Sequence, residues 1–95
     1  MVKQMENLNL SRIIERRLIN TIISFVEGDE FFYSQGTKLF DLCTEYGLDS
    51  LDEVELIMAI EDEFDVVIED DELPQLVTIA DWVAHIAKLK GSNHG

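Results

Sequence analysis

Ser50 is the side chain in this sequence best placed to do chemistry. It lies in Gly47-Leu48-Asp49-Ser50-Leu51, at the head of a stretch whose acids and apolar residues interleave at helical spacing. A serine hydroxyl acts as a nucleophile only with a base beside it, whereas as a helix N-cap it needs none. Neither His85 nor His94 stands at a spacing that sets an imidazole against it. The order Gly-Leu-Asp-Ser-Leu is not the Gly-x-Ser-x-Gly of a hydrolase elbow, and no second catalytic acid is apparent. Asp49 is an equally good cap, so the sequence leaves the N-cap between Asp49 and Ser50. Cys43, the one cysteine, sits among apolar residues and reads as core rather than nucleophile. It has no partner for an internal disulfide, which points to a reducing, cytoplasmic setting. The histidines show no metal-ligand spacing and no EF-hand loop is present. The crowded acids Asp62, Asp65, Glu69 and Asp70 are candidates for weak cation binding only.

Charge narrows the partners. The 95 residues carry a formal net charge of −13. From Leu39 to Ala87 there are fifteen acids and no Lys or Arg. Nucleic acid and anionic membrane would be repelled by such a surface, and basic proteins would be steered to it. A 46% hydrophobic content excludes a disordered acidic tail. The length suits one small domain, too small for a cleft between lobes. No run reaches the roughly 18 apolar residues of a membrane span, and no basic-then-apolar secretory leader is evident.

The elements that must hold Ser50 are helical. Ile14, Leu18, Ile22 and Val26 recur every four residues and predict a helix over 11–26, capped by Asn9 or Ser11 and stopped at Glu27-Gly28-Asp29-Glu30. A loop follows whose Phe31, Phe32 and Tyr33 are expected to close the core. Thr37 is expected to cap a short helix, Leu39 to Tyr46, with Leu39, Leu42, Cys43 and Tyr46 on one side and Gly47 ending it. The second long helix runs from Ser50 to about Asp65, and a short acidic segment, Asp70 to Leu73, stops at Pro74. Thr78 and Asp81 have capping-box spacing for a last helix with Ile79, Val83 and Ile86 on its apolar face and Gly91 at its end. Val66-Val67-Ile68 is too short to build a sheet. The predicted fold is an all-α, up-and-down four-helix bundle with three longer helices and one short one. Residues 1–10 are expected to form a flexible arm, 11–90 the domain and 91–95 a frayed tail.

At 100° per residue, Leu56, Ile57, Ile60 and Phe64 share the core face of the second long helix. Leu51, Glu55, Met58 and Asp62 share the opposite one. Acid and apolar residues alternating on a solvent face make a candidate docking surface, though single exposed hydrophobes are common. Composition and spacing thus reach a small acidic bundle with an exposed serine at a helix start, and supply no reaction.

The stretch resembles the signature of acyl carrier proteins. That family carries Asp-Ser-Leu at the start of its second helix, and Asp52, Val54-Glu55-Leu56, Met58-Ala59 and Glu61 to Asp65 with Phe64 continue the pattern in one ungapped run. The similarity goes on through Ile68, Thr78-Ile79 and Ile86 and is weakest over residues 1–46. It implies a freestanding, monomeric carrier rather than an enzyme. Ser50 would receive 4′-phosphopantetheine from coenzyme A through a magnesium-dependent phosphopantetheinyl transferase, and the thiol would hold acyl groups as thioesters, most plainly for fatty acid biosynthesis. The alternatives are a discrete carrier of a polyketide or modified-lipid pathway, and an unmodified acidic interaction module. Asp49 and Leu51 would flank the attachment site, where backbone N–H groups and the helix dipole would favour the phosphate. Asp52, Leu51, Glu55, Met58, Glu61 and Asp62 would meet the transferase and other basic-surfaced acyl-processing enzymes; no metal site is implied. The chain departs from the family before the Asp-Ser: either Leu42 and Tyr46 stand where Phe and Leu are usual, or Leu39-Phe40-Asp41-Leu42 matches the family's Leu-Phe-x-Leu and Cys43 to Tyr46 is an extra helical turn. It departs again at Glu69, where proline is common, and at Trp82, where a small residue is usual. An inward Trp82 or Tyr46 would change the cavity that shelters an acyl chain.

Overall fold

The computed structural model describes the backbone of residues 2–26 and 32–92, and side chains over 10–26 and 32–91. The stop signal at 27–30, Phe31 and the tail beyond Ser92 lie outside the described residues. Four α-helices follow in order: α1 (Val2–Val26), α2 (Leu39–Glu45), α3 (Ser50–Phe64) and α4 (Ile79–Ser92), with a 3-10 segment, Asp70–Gln75, between the last two. This is the expected all-α bundle, in which α1 packs against both α3 and α4.

The first helix starts earlier than its apolar stripe suggests. It runs unbroken from Val2, so Asn9 and Ser11 stand inside it rather than at its cap. Its 25 residues, at 1.5 Å each about 37 Å, account for most of the 42 Å long axis of the molecule. The stripe itself is where periodicity places it: Ile14, Leu18 and Ile22 are buried. They meet Leu39 and Cys43 of α2, Leu56, Ile60 and Phe64 of α3, and Ile79, Trp82, Val83 and Ile86 of α4 in one core.

The connections explain how the helices are set. Thr37 does not cap α2; its Oγ1 accepts from the Ser34 N–H at 2.8 Å and closes a turn, while Lys38 stands at the cap without a side-chain bond. Lys38 and Thr78 form an isolated antiparallel bridge, flanked by Leu39 N–H to Val77 O at 3.0 Å and Ile79 N–H to Thr37 O at 2.8 Å. The starts of α2 and α4 are thereby fastened together. The predicted capping box of α4 is present: Thr78 Oγ1 accepts from Asp81 N–H at 3.1 Å, and Asp81 Oδ2 from Thr78 N–H at 3.0 Å. Pro74 does not end the acidic segment, which continues to Gln75 as a 3-10 turn closed by Leu76 N–H to Leu73 O. Gly91 likewise lies within the last turn of α4.

The two described loop aromatics, Phe32 and Tyr33, do not close the core. Phe32 is 98% exposed, and Tyr33 instead gives its hydroxyl to Glu15 Oε2 at 2.8 Å, beside Gln35 Nε2 on Glu15 Oε1 at 3.0 Å. The loop is held against α1 through one carboxylate, by polar contacts that hydrophobic patterning does not register.

Candidate functional site

Ser50 owes its position to the turn before it. Gly47 has φ +85°, in the left-handed region. Its N–H donates to Thr44 O at 3.0 Å, and Leu48 N–H donates to Cys43 O at 3.0 Å. This pair of bonds is the Schellman ending of a helix, which a side chain at position 47 would strain. The half-buried Leu48 packs onto the core, as the motif requires. The chain is then turned sharply into α3.

The cap of α3 is Asp49, which resolves the choice left by the sequence. Asp49 Oδ1 accepts from Asp52 N–H at 2.9 Å, and Asp52 Oδ2 accepts from Asp49 N–H at 3.0 Å, a reciprocal capping box. The Asp52 N–H bond is the main reason the Asp49 carboxyl is held below the usual carboxylate range. Ser50 is the first helical residue, exposed, and its hydroxyl takes no part in the capping bonds. A hydroxyl in that position is held by a rigid helix start yet faces solvent, which suits it to covalent loading by another protein. The expectation that backbone N–H groups here would hold a phosphate is weakened. The Asp49 and Asp52 amides are already satisfied by carboxylates, and Glu53 N–H donates to Asp49 O at 3.0 Å.

Along α3 the two faces separate as the helical wheel predicts. Leu56, Ile60 and Phe64 are buried, with Ile57 half-buried on the same core. Leu51 and Met58 are 67% and 59% exposed, and Glu55 and Asp62 are exposed with them. Val54, 52% exposed, extends the apolar row. It was legible as the i+3 partner of Leu51. Two expected partner-facing acids have work inside the fold. Asp52 belongs to the capping box, and Glu61 Oε2 accepts from Ile68 N–H at 2.8 Å, holding the loop after α3.

The far end of α3 is clasped by cations from two other helices. Arg17 of α1 sets Nε 2.7 Å from Glu63 Oε2, donates to the Glu63 carbonyl, and lies 4.8 Å over the Phe64 ring. Lys90 of α4 donates to Phe64 O at 2.9 Å. Asp65 ends the helix at φ 55°. Neither cation was legible as a helix partner, because each is distant in sequence.

The remaining candidates sort clearly. Cys43 is buried, and that burial, helped by Glu53 and Asp52, pushes its thiol up to about 11; a thiol so placed is a core residue, as the sequence suggested. Tyr46 points outward at 40% exposure, leaving the apolar side of α2 to Leu39, Leu42 and Cys43. Trp82 points inward and is wholly buried. Glu69 uses the N–H that a proline would lack, donating to Glu72 Oε1 at 3.0 Å. His85 Nε2 lies 3.3 Å from the same Glu72 oxygen and from no metal-ligand set. Among the described residues no group of three or more His, Cys, Asp or Glu could hold a metal, so Asp62, Asp65, Glu69 and Asp70 do not gather into a cation site. No described helix is long and apolar enough to cross a membrane.

An acidic helical bundle that presents a serine at the start of its third helix is the architecture of a carrier domain. Residues 41–86 match the phosphopantetheine attachment site family. The chain is 39% identical to the acyl carrier protein of Sinorhizobium fredii over 81% of its own length and 95% of that protein's. It is 34% identical to that of Phenylobacterium zucineum over 87% of its length and the whole of that relative. The match to the acyl carrier protein of Akkermansia muciniphila is 49% identical but covers 50% of this chain and 59% of that one. The chain belongs to the acyl carrier protein family, and its cofactor is 4′-phosphopantetheine.

Proposed function

We propose that this protein is a freestanding carrier that holds acyl intermediates as thioesters on a 4′-phosphopantetheine arm attached to Ser50. The observation that carries the reading is the placement of Ser50: exposed, at the first position of α3, with capping done by Asp49 and Asp52 instead. The arm supplies the thiol that bears the acyl group. This chain supplies a fixed, accessible hydroxyl and an address. On this reading the base and the magnesium come with the transferase. The address is the outer face of α3, where Leu51, Val54 and Met58 lie among Glu55 and Asp62, with Asp52 and Glu61 at the edges. A basic-surfaced partner is drawn in by the acids and seated on the apolar row.

Fatty acid biosynthesis in the cytoplasm, with the protein acting as a monomer and not as a catalyst, is the simplest setting for such a carrier. The buried Trp82 favours a second reading, a carrier of a specialised polyketide or modified-lipid pathway with its own cargo. The test is incubation of the apo-protein with coenzyme A, magnesium and a broad-specificity transferase, read by intact mass. One phosphopantetheine should be added to the wild type and none to Ser50→Ala. Modification of the alanine variant would remove Ser50 from the assignment, and an unmodified wild type would favour the interaction-module alternative.

A further inference from the structure

Trp82 is the largest fully buried side chain of the core and the only tryptophan in the chain. Its ring meets Phe40 of α2 edge to face, centroids 6.2 Å apart and planes at 86°. Its Nε1 donates to Leu76 O at 3.1 Å, one residue past the 3-10 segment. That segment contributes no fully buried residue of its own, and only its half-buried Leu73 packs on the core. An alkyl chain tethered through Ser50 exposes apolar surface in proportion to its length, and gains from any dry apolar volume within reach. Hollows of about 440 and 460 Å³ along α1 are bordered by Arg12 and Arg16 and offer no such volume. The dry apolar interior that Trp82 enters lies between Phe40 of α2 and Leu76, under α4. The indole fills it, and moving the indole aside would leave a buried N–H without its acceptor.

We propose that Trp82 is a specificity-determining residue, setting a low upper limit on the length of acyl chain this carrier can shelter. The inference rests on the carrier reading of Ser50. The ring acts by occupancy and its N–H by holding the chain at Leu76 in place, so long chains remain outside the bundle.

The wild type, Trp82→Leu and Trp82→Phe are loaded by a transferase from butanoyl-, octanoyl- and dodecanoyl-coenzyme A, and loading is confirmed by intact mass. Each product is then melted, and indole emission is recorded for the wild type. The wild-type Tm should stay level within about 2 °C across the three lengths, with an unmoved emission maximum. In Trp82→Leu, which removes ring and donor together, Tm should climb by about 5 °C or more from butanoyl to dodecanoyl. Trp82→Phe, which keeps a ring, should climb less. A wild-type Tm that rises with length, or an emission shift on dodecanoyl loading, overturns the inference while leaving the carrier reading standing. A level series in a folded leucine variant overturns it equally. Should neither variant fold, the wild-type melts and emission decide alone. Failure of the wild type to load at all overturns the carrier reading, and this inference with it.

Discussion

Replacing Lys90 by methionine should destabilise the bundle by far more than the loss of one surface charge. The last turn of α3 has no basic residue and carries Glu61, Asp62 and Glu63 at the end of the helix where the dipole is already negative. Its cations come from α1 and α4. Lys90 Nζ donates to Phe64 O at 2.9 Å. A hydrogen bond from a charged donor contributes about 1.5–3 kcal/mol, and a cation at a helix C-terminus about 0.3–1 kcal/mol. Lys90 is only half-buried, so the low end applies, about 1.5–2 kcal/mol in all. For a domain of this size that is a fall in Tm of about 6–16 °C. Methionine keeps most of the aliphatic stem, which limits the change to the ammonium. Arg16→Met is the control, since it removes the same charge from an exposed site on α1. Thermal melts followed by far-UV circular dichroism at fixed ionic strength compare the two. If Lys90→Met and Arg16→Met melt within about 2 °C of each other, overall charge rather than the clasp is responsible, and the reasoning fails. Ser50 lies about 21 Å away along α3, so transferase modification of the folded Lys90 variant should proceed at the wild-type rate.

Four further outcomes are expected. Ile60→Ala should cost roughly 2–5 kcal/mol as a cavity in the core while the folded fraction is still loaded. Met58→Ala should change stability by less than about 0.5 kcal/mol and slow loading; urea melts and transferase kinetics on both variants would expose a reversed assignment of the α3 faces. Ser50→Ala should leave stability within about 0.5 kcal/mol of wild type, since the cap is Asp49. Asp49, held low chiefly by the Asp52 N–H, stabilises the fold above its unfolded pKa of about 3.9 and loses that contribution as pH falls through the lower folded value. Asp49→Asn, which caps without titrating, should therefore flatten the acid limb of urea midpoints measured between about pH 5 and 2.5, and an unchanged limb would show that the cap does not sense protonation.

What the sequence determined by itself is what local physics controls. The stripe of Ile14, Leu18 and Ile22, the separation of Ile60 from Met58, the Gly47 turn and the Thr78–Asp81 box all depend on residues within a turn or two of each other, and each is present in the structure. The Asp49-Ser50-Leu51 start of α3 could be read for the same reason, and so could the absence of cations from 39–87, since charge is additive along the chain. Other features needed the tertiary structure. Tyr46 and Trp82 are both large and both lie at helical spacing with core residues, yet Trp82 is buried and Tyr46 is exposed. Which is buried depends on the element opposite: Trp82 meets Phe40 edge to face and finds an acceptor at Leu76 inside the bundle. Phe32 is exposed while its neighbours Tyr33 and Gln35 anchor the loop through the Glu15 carboxylate. The choice between Asp49 and Ser50 as cap turns on where one carboxylate reaches within an otherwise identical pattern. Arg17 and Lys90 meet the end of α3 from 46 and 26 residues away in the chain, a distance over which no periodicity carries information and only the packing of three helices brings the charges together.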